Sequence, residues 1–193
     1  MNKFIALVGM AGSGKSVVAD ELIRRGYHFF RFGQITMDIL VERGLEVNET
    51  NERNIRENVR KEHGMGAYAI LNIPKIENYL ITGNVVGDGL YSWSEYKILK
   101  EKFGNHMFVI AIYAPPEVRY ERLSQRKQTK DDKNIRFRQM TPEQAKSRDF
   151  AEIENIEKAG PIVMADYTVV NTDNIDNLLK QLDHIIKEIE HKK

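Results

Sequence analysis

Eight residues near the start of the chain, Gly9-Met10-Ala11-Gly12-Ser13-Gly14-Lys15-Ser16, fit the spacing G-x-x-x-x-G-K-[ST]. A polyphosphate needs many hydrogen-bond donors at close range. Glycines let the backbone curl around the anion, because no Cβ blocks approach or a positive φ. The amides of Gly9, Ala11, Gly12, Ser13, Gly14 and Val17 then face one concavity, and the helix that begins near Gly14 aims its positive end at the same place. Lys15 is expected on the β- and γ-phosphates and the Ser16 hydroxyl on a Mg²⁺ ion, so the expected ligands are ATP and Mg²⁺. The bland alternative is a glycine-rich turn with a chance Lys-Ser. The match of all four fixed positions, with a strand before and a helix after, disfavours it.

Other residues could complete a phosphoryl transfer. Asp88, at the end of an apolar run, can hold a water on Mg²⁺ or accept an acceptor's proton; a turn residue in Gly87-Asp88-Gly89 is the alternative. Arg119, Arg122 and Arg126 recur at about one helical turn, and Lys127, Lys130, Lys133, Arg136 and Arg138 follow. Arg122 and Arg126 are the candidates for closing over the transferring group, against a merely solvated basic surface. Arg148 either reaches back to the phosphates or pairs with Glu152 four residues on. Asn171, in Asn171-Thr172-Asp173, either borders the adenine or caps a turn. Arg53, Arg56 and Arg60, three to four residues apart, present one helix face to an acceptor's phosphate or to solvent. Gly33 and Tyr91 are further acceptor-side candidates. Trp93 and Tyr96 could stack on a base, but such aromatics are more often core. No guanine signature is present, since Thr172 stands where N-K-x-D needs Lys, and Asp88-Gly89-Leu90-Tyr91 lacks the second Gly of a D-x-x-G switch.

These residues need elements to hold them. Residues 4–8 read as a buried parallel strand, 14–25 as a helix and 27–32 as a second strand. Helices are expected over 35–43, 51–63 and 67–79, the last broken or kinked at Pro74. Residues 84–88 form a third strand ending in Asp88. Ser92 and Glu95 form a capping-box pattern opening a helix to Phe103. Residues 107–113 are the clearest buried strand, and Pro115-Pro116 starts the next helix. Thr141-Pro142-Glu143-Gln144 opens another, 167–170 form a fifth strand, and 175–190 an amphipathic helix. Alternating strands and helices imply a parallel sheet covered on both faces, with the loops after Val8, Asp88 and Tyr113 converging beyond the carboxyl ends of the strands.

The expectation is one α/β domain over 1–193, a three-layer α/β/α P-loop NTPase with a helical acceptor-binding insert at 33–80 and a basic lid at 126–141. The chain has 193 residues, 41% of them hydrophobic, enough for one core. With 29 Lys and Arg against 28 Asp and Glu, no overall field favours nucleic acid or membrane. Cysteine is absent, which excludes disulfides, thiolate metal sites and cysteine nucleophiles. No apolar run approaches the roughly 20 residues that span a bilayer. A cytoplasmic setting is expected.

Across nearly its whole length the chain resembles adenylate-kinase-like and dephospho-CoA-kinase-like P-loop kinases. It looks nearest to a subgroup, with members in archaea and bacteria, described only as kinase-like. The residues that carry the resemblance are Gly9–Ser16, Phe32-Gly33-Gln34, Gly87 to Ser92, Ala114-Pro115-Pro116-Glu117 with Arg119, Arg122 and Leu123, Arg148-Asp149 and Ala165-Asp166-Tyr167. The resemblance implies a five-stranded parallel sheet, an acceptor-binding insert and an arginine lid. The chain departs from both groups on the acceptor side: Gln34 replaces an acidic residue, and Leu90-Tyr91 stand where adenylate-kinase relatives carry Arg. The expected activity is ATP-dependent phosphorylation of a nucleotide or similar small molecule. A nucleotide-dependent switch or scaffold with slow ATPase activity is the alternative, and a nucleic-acid 5′-kinase is disfavoured by the net charge of +1.

Overall fold

The computed structural model describes residues 2–126 and 139–192. In the first strand, β1 (Phe4–Val8), every residue is buried, because its two faces feed two different cores. Phe4, Ala6 and Val8 point to one, Ile5 and Leu7 to the other. The remaining strands are β2 (His28–Arg31), β3 (Val85–Asp88), β4 (Met107–Tyr113) and β5 (Tyr167–Val170). All pair in parallel in the order β2-β3-β1-β4-β5, the expected five-stranded sheet.

Helix α1 (Lys15–Arg24) and the last helix, α9 (Ile175–His191), cover one face with Val18, Ala19, Leu22, Leu178, Leu182 and Ile186. The other face is covered by α2 (Gln34–Glu42), α3 (Glu49–His63), α4 (Ala67–Thr82) and α5 (Trp93–Phe103). The first three of these are the expected helical insert. Helix α4 continues through Pro74, contrary to the expected break. Proline denies a hydrogen bond to the carbonyl four residues earlier, that of Ile70. Both Pro74 and Ile70 lie on the exposed face, where water can take that carbonyl. On the buried face Asn72 donates to the carbonyls of Tyr68 (2.8 Å) and Phe32 (3.3 Å), tying α4 to the turn after β2.

Both capping boxes form. Ser92 and Glu95 start α5, and Thr141 and Gln144 start α7 (Pro142–Ile156). Helix α6 (Pro116–Ser124) precedes α7 in the chain, and the two pack together. A short helix, α8 (Ala159–Val163), was not anticipated from the sequence. The strand register sets up the site: Asp88 ends β3 opposite Leu7 of β1 on one side and Arg31 of β2 on the other.

Candidate active site

The loop Gly9–Ser16 joins β1 to α1 with Gly9, Gly12 and Gly14 all at positive φ. All three glycines are also packed too closely for a side chain. A Cβ on Gly12 would stand 2.7 Å from the Arg119 carbonyl, and one on Gly14 would collide with the Asn171 amide. Gly14, at φ 104° and ψ 12°, is the left-handed residue from which α1 starts. The loop is clamped from outside. The buried Arg119 guanidinium donates to the carbonyls of Ala11 (3.1 Å) and Ala114 (3.0 Å) and to Asp149 Oδ2 (2.6 Å). Tyr120 donates to the same carboxylate oxygen at 3.0 Å. Asn171 Nδ2 donates to the Ser13 carbonyl at 2.8 Å, so Asn171 is committed to holding the loop.

The Lys15 ammonium donates to the carbonyls of Gly9 (2.8 Å) and Met10 (3.1 Å), across the loop's mouth. Burial first, and then the charge of Lys158, lower its pKa to about 8 against the opposing charges of Asp88 and Glu152. An entering polyanion would reverse that shift by stabilising the charged form. Val17 lies in the first turn of α1, its N–H donating to the Gly14 carbonyl at 3.0 Å. Asp88 keeps one oxygen, Oδ1, buried with no hydrogen-bond partner, and the Ser13 hydroxyl is in the same condition. Orphaned buried acceptors are uncommon and call for a reason.

From Asp88 a seam of polar side chains runs to the insert. Tyr91 is half-buried, and burial pushes its hydroxyl up to about 12. Glu95 is fully buried. Its Oε2 accepts from the N–H groups of Tyr91 (3.0 Å) and Ser92 (3.1 Å), while Oε1 has no partner. Burial raises its pKa to about 7, against the pull of those two amides. Arg60 faces it from α3, with its guanidinium 5.4 Å from the Tyr68 ring centroid and a buried, unpaired Nε. From the other side Glu152 pairs with Lys158 and, at 2.8 Å, with Arg148. Burial alone would raise Glu152, but Lys158 and Arg148 outweigh it and hold the carboxyl at about 2.

The structure brings Asp88 within electrostatic reach of both Lys15 and Tyr91, and Arg60 within reach of Glu95, which accepts from the Tyr91 N–H. Arg148 pairs with Glu152, the second of its two expected roles, and its charge acts on Lys15 and Tyr91. Arg122 has a buried Nη1 with no hydrogen bond. Arg126 is half-buried just after α6. The basic segment 127–138 lies outside the described residues. Arg53 is exposed and pairs with Glu57 at 2.8 Å, Arg56 is hydrogen-bonded to Glu52 at 3.2 Å, and Gly33 has open space where a Cβ would stand. Trp93 and Tyr96 stack on each other, with ring centroids 5.0 Å apart.

Arg31, Glu95, Glu152 and Lys158 were not foreseen as site residues. A basic residue ending β2 was a usable signal for Arg31, and the capping box located Glu95 without revealing its burial. Nothing in the sequence around Lys158 marks it.

Ser16 and Asp88 can serve a Mg²⁺ ion, which commonly takes one or two protein oxygens and keeps water and phosphate for the rest. The buried, unspent Asp88 oxygen fits that use. No cluster of three or more His, Cys, Asp or Glu occurs among the described residues, so a fully protein-caged metal is not indicated there.

Sheet order, glycine loop and helical insert together define a P-loop NTPase of the small-kinase fold. The chain can be superposed over 97% of its length on shikimate kinase from Bacteroides thetaiotaomicron (98% of that chain, TM-score 0.59, 14% identity). It also matches a gluconokinase from Sinorhizobium meliloti 1021 (97% and 95% covered, TM-score 0.55, 15% identity). At such identities the likeness is one of fold.

A family model described as an AAA domain matches residues 5–158, and the chain belongs to that family and to the UPF0200 proteins. It is 35% identical to the UPF0200 protein of Sulfurisphaera tokodaii over 97% of both chains, and 30% identical to one from Pyrococcus horikoshii over 96% of both. A UPF0200/UPF0201 protein of Archaeoglobus fulgidus is 34% identical over 97% of this chain, which spans 56% of that longer relative.

Proposed function

We propose that this protein is an ATP- and Mg²⁺-dependent phosphotransferase acting on a nucleotide or nucleotide-like small molecule. The observation that carries the reading is Asp88: a carboxylate oxygen buried without a partner, at the end of the strand beside the P-loop strand, with its charge acting on Lys15. A loop that only bound nucleotide would not require an unspent carboxylate there.

The loop amides and Lys15 hold the triphosphate, and Ser16 and Asp88 hold the Mg²⁺. A Mg²⁺ ion held by Ser16 and Asp88 would offset negative charge on the phosphates. An acceptor hydroxyl on the Arg60 and Tyr91 side attacks the γ-phosphorus. The bond to the bridging oxygen breaks and ADP leaves. Asp88 either takes the hydroxyl proton or orders the metal's water. Arg122 and Arg126 supply positive charge to the transferring group.

A coupled assay for ADP release, run over nucleoside monophosphates, deoxynucleotides, dephospho-CoA, shikimate, gluconate and a wider metabolite panel, tests this. At least one acceptor should stimulate turnover. Lys15→Ala should cost on the order of 10²-fold or more, as removal of a donor to developing charge does elsewhere. Slow hydrolysis unmoved by any acceptor would replace the reading with that of a nucleotide-dependent switch.

A further inference from the structure

Lys158 is 2% exposed and belongs to none of the motifs above. Helix α7 ends at Ile156, and Glu157, at φ 55° and ψ 35°, is the one left-handed non-glycine among the described residues. That turn reverses the chain, so that the Lys158 N–H donates to the Glu152 carbonyl while its ammonium meets the Glu152 carboxylate. Gly160 follows, with the Trp93 side chain 3.0 Å from where its Cβ would be, so α8 sits close against α5. The ammonium lies 4.7 Å from the Tyr91 ring centroid.

An ammonium carries three N–H donors. Glu152 is its one hydrogen-bond partner among the described residues, which leaves two donors unspent in a buried place. The pair has little reason to exist for stability alone, since a buried ion pair often breaks even against well-packed apolar side chains. What surrounds it is the seam already described. Lys15 and Arg148 are cations within its electrostatic reach, Asp88 and Glu95 each have an orphaned oxygen, and Arg60 has an unpaired Nε. Lys15 and the loop amides serve the nucleotide. Tyr91, Glu95 and Arg60 come from the β3–α5 connection and the insert, on the acceptor's side.

We propose that Lys158, fixed by Glu152 and Tyr91, is the ligand for an oxyanion of the acceptor, a phosphate or a carboxylate, so that the molecule phosphorylated is itself an anion. This rests on the phosphotransferase reading, and the test separates the two.

Protein saturated with Mg²⁺ and β,γ-imido-ATP is titrated calorimetrically with inorganic phosphate and, separately, with succinate. The same is done for Lys158→Arg and for the double variant Glu152→Gln, Lys158→Met, which removes the buried pair; Arg148, the other partner of Glu152, keeps a side chain that is 43% exposed to water. The wild type should take up one oxyanion, the stronger probe telling phosphate from carboxylate. The double variant should bind it at least tenfold more weakly with imido-ATP affinity within threefold of wild type, and Lys158→Arg should recover most of the loss. Unchanged anion affinity in the double variant overturns the proposal. So does a nucleotide-loaded wild type that binds neither probe. A wild type that fails to bind imido-ATP overturns the phosphotransferase reading, and this one with it.

Discussion

The two halves of the cleft are built differently. The donor half is eight consecutive residues whose amides, positive-φ glycines and one lysine form a cradle by themselves, with Arg119 and Asn171 clamping it from outside. The half proposed for the acceptor is assembled from single residues on separate elements: Arg31 ending β2, Arg60 on α3, Asp88 ending β3, Tyr91 after it, Glu95 on α5, Glu152 on α7 and Lys158 beyond it. Clamping residues of the donor half have their partners inside the protein. The acceptor half retains buried polar atoms with none on Asp88, Glu95 and Arg60, against the Ser13 hydroxyl and one Asp149 oxygen in the donor half. A backbone cradle can be complete before its ligand arrives, because amides are held in place by dihedral angles. A side-chain site keeps its polarity unspent for a ligand of its own, at a cost in stability.

If the halves are separable, Asp88→Asn should produce the largest effect. Turnover should fall by roughly 10² to 10⁴, the range for loss of a positioned proton acceptor, while metal-free nucleotide affinity stays within a few-fold. Steady-state kinetics beside direct nucleotide binding would check this. Raised Mg²⁺ should restore part of the loss if Asp88 serves the metal, and none if it takes the proton.

Arg119→Met should break the other half. It strands the Asp149 carboxylate, which is 5% exposed, and removal of one member of a buried pair costs about 3–5 kcal/mol. Urea unfolding should show that loss, and nucleotide affinity should drop with it. Arg60→Met, at an unpaired guanidinium nitrogen, should raise an acceptor's KM with a far smaller change in stability.

Next in size is a pH effect confined to the donor half. Lys15 titrates near 8 because it is buried, and a polyphosphate binds its charged form. Nucleotide affinity should therefore fall by up to about tenfold per pH unit above 8, one proton being linked to binding, and Lys15→Met should flatten that limb. The free protein should respond in the opposite sense. The folded pKa lies below the unfolded 10.5, so this group's contribution to stability rises between pH 8 and 10.5. Calorimetric binding and unfolding over that interval would show both signs.

The smallest effect belongs to Ser92→Ala. Loss of the cap on α5 should cost about 1 kcal/mol in urea unfolding and disturb the acceptor half alone, through Glu95.

Much of the architecture was legible in the chain. The apolar runs of β1 and β4 were clear because strands covered on both faces need no polar alternation. Both capping boxes were readable because the bonds that make them lie within four residues. Proline misled at α4, where the lost hydrogen bond falls on a solvated face and burial of Tyr68, Asn72 and Ile76 on the opposite side carries the helix through. Helix α8 is only five residues long, too short to show a period. Arg119 looked like a third cation for the transferring phosphate. Only its carbonyl partners, Ala11 and Ala114, reveal it as a brace.

Gly9 to Ser16 sufficed to mark a phosphate cradle, because its curl is dictated by where glycine is needed, although Arg119 and Asn171 brace it from far along the chain. The meeting of Arg60, Tyr91, Glu95, Glu152 and Lys158 could come only from folding. Residues nearly a hundred positions apart become neighbours when helices pack over a sheet, and their burial, which sets their charges and leaves donors unspent, is a property of that packing.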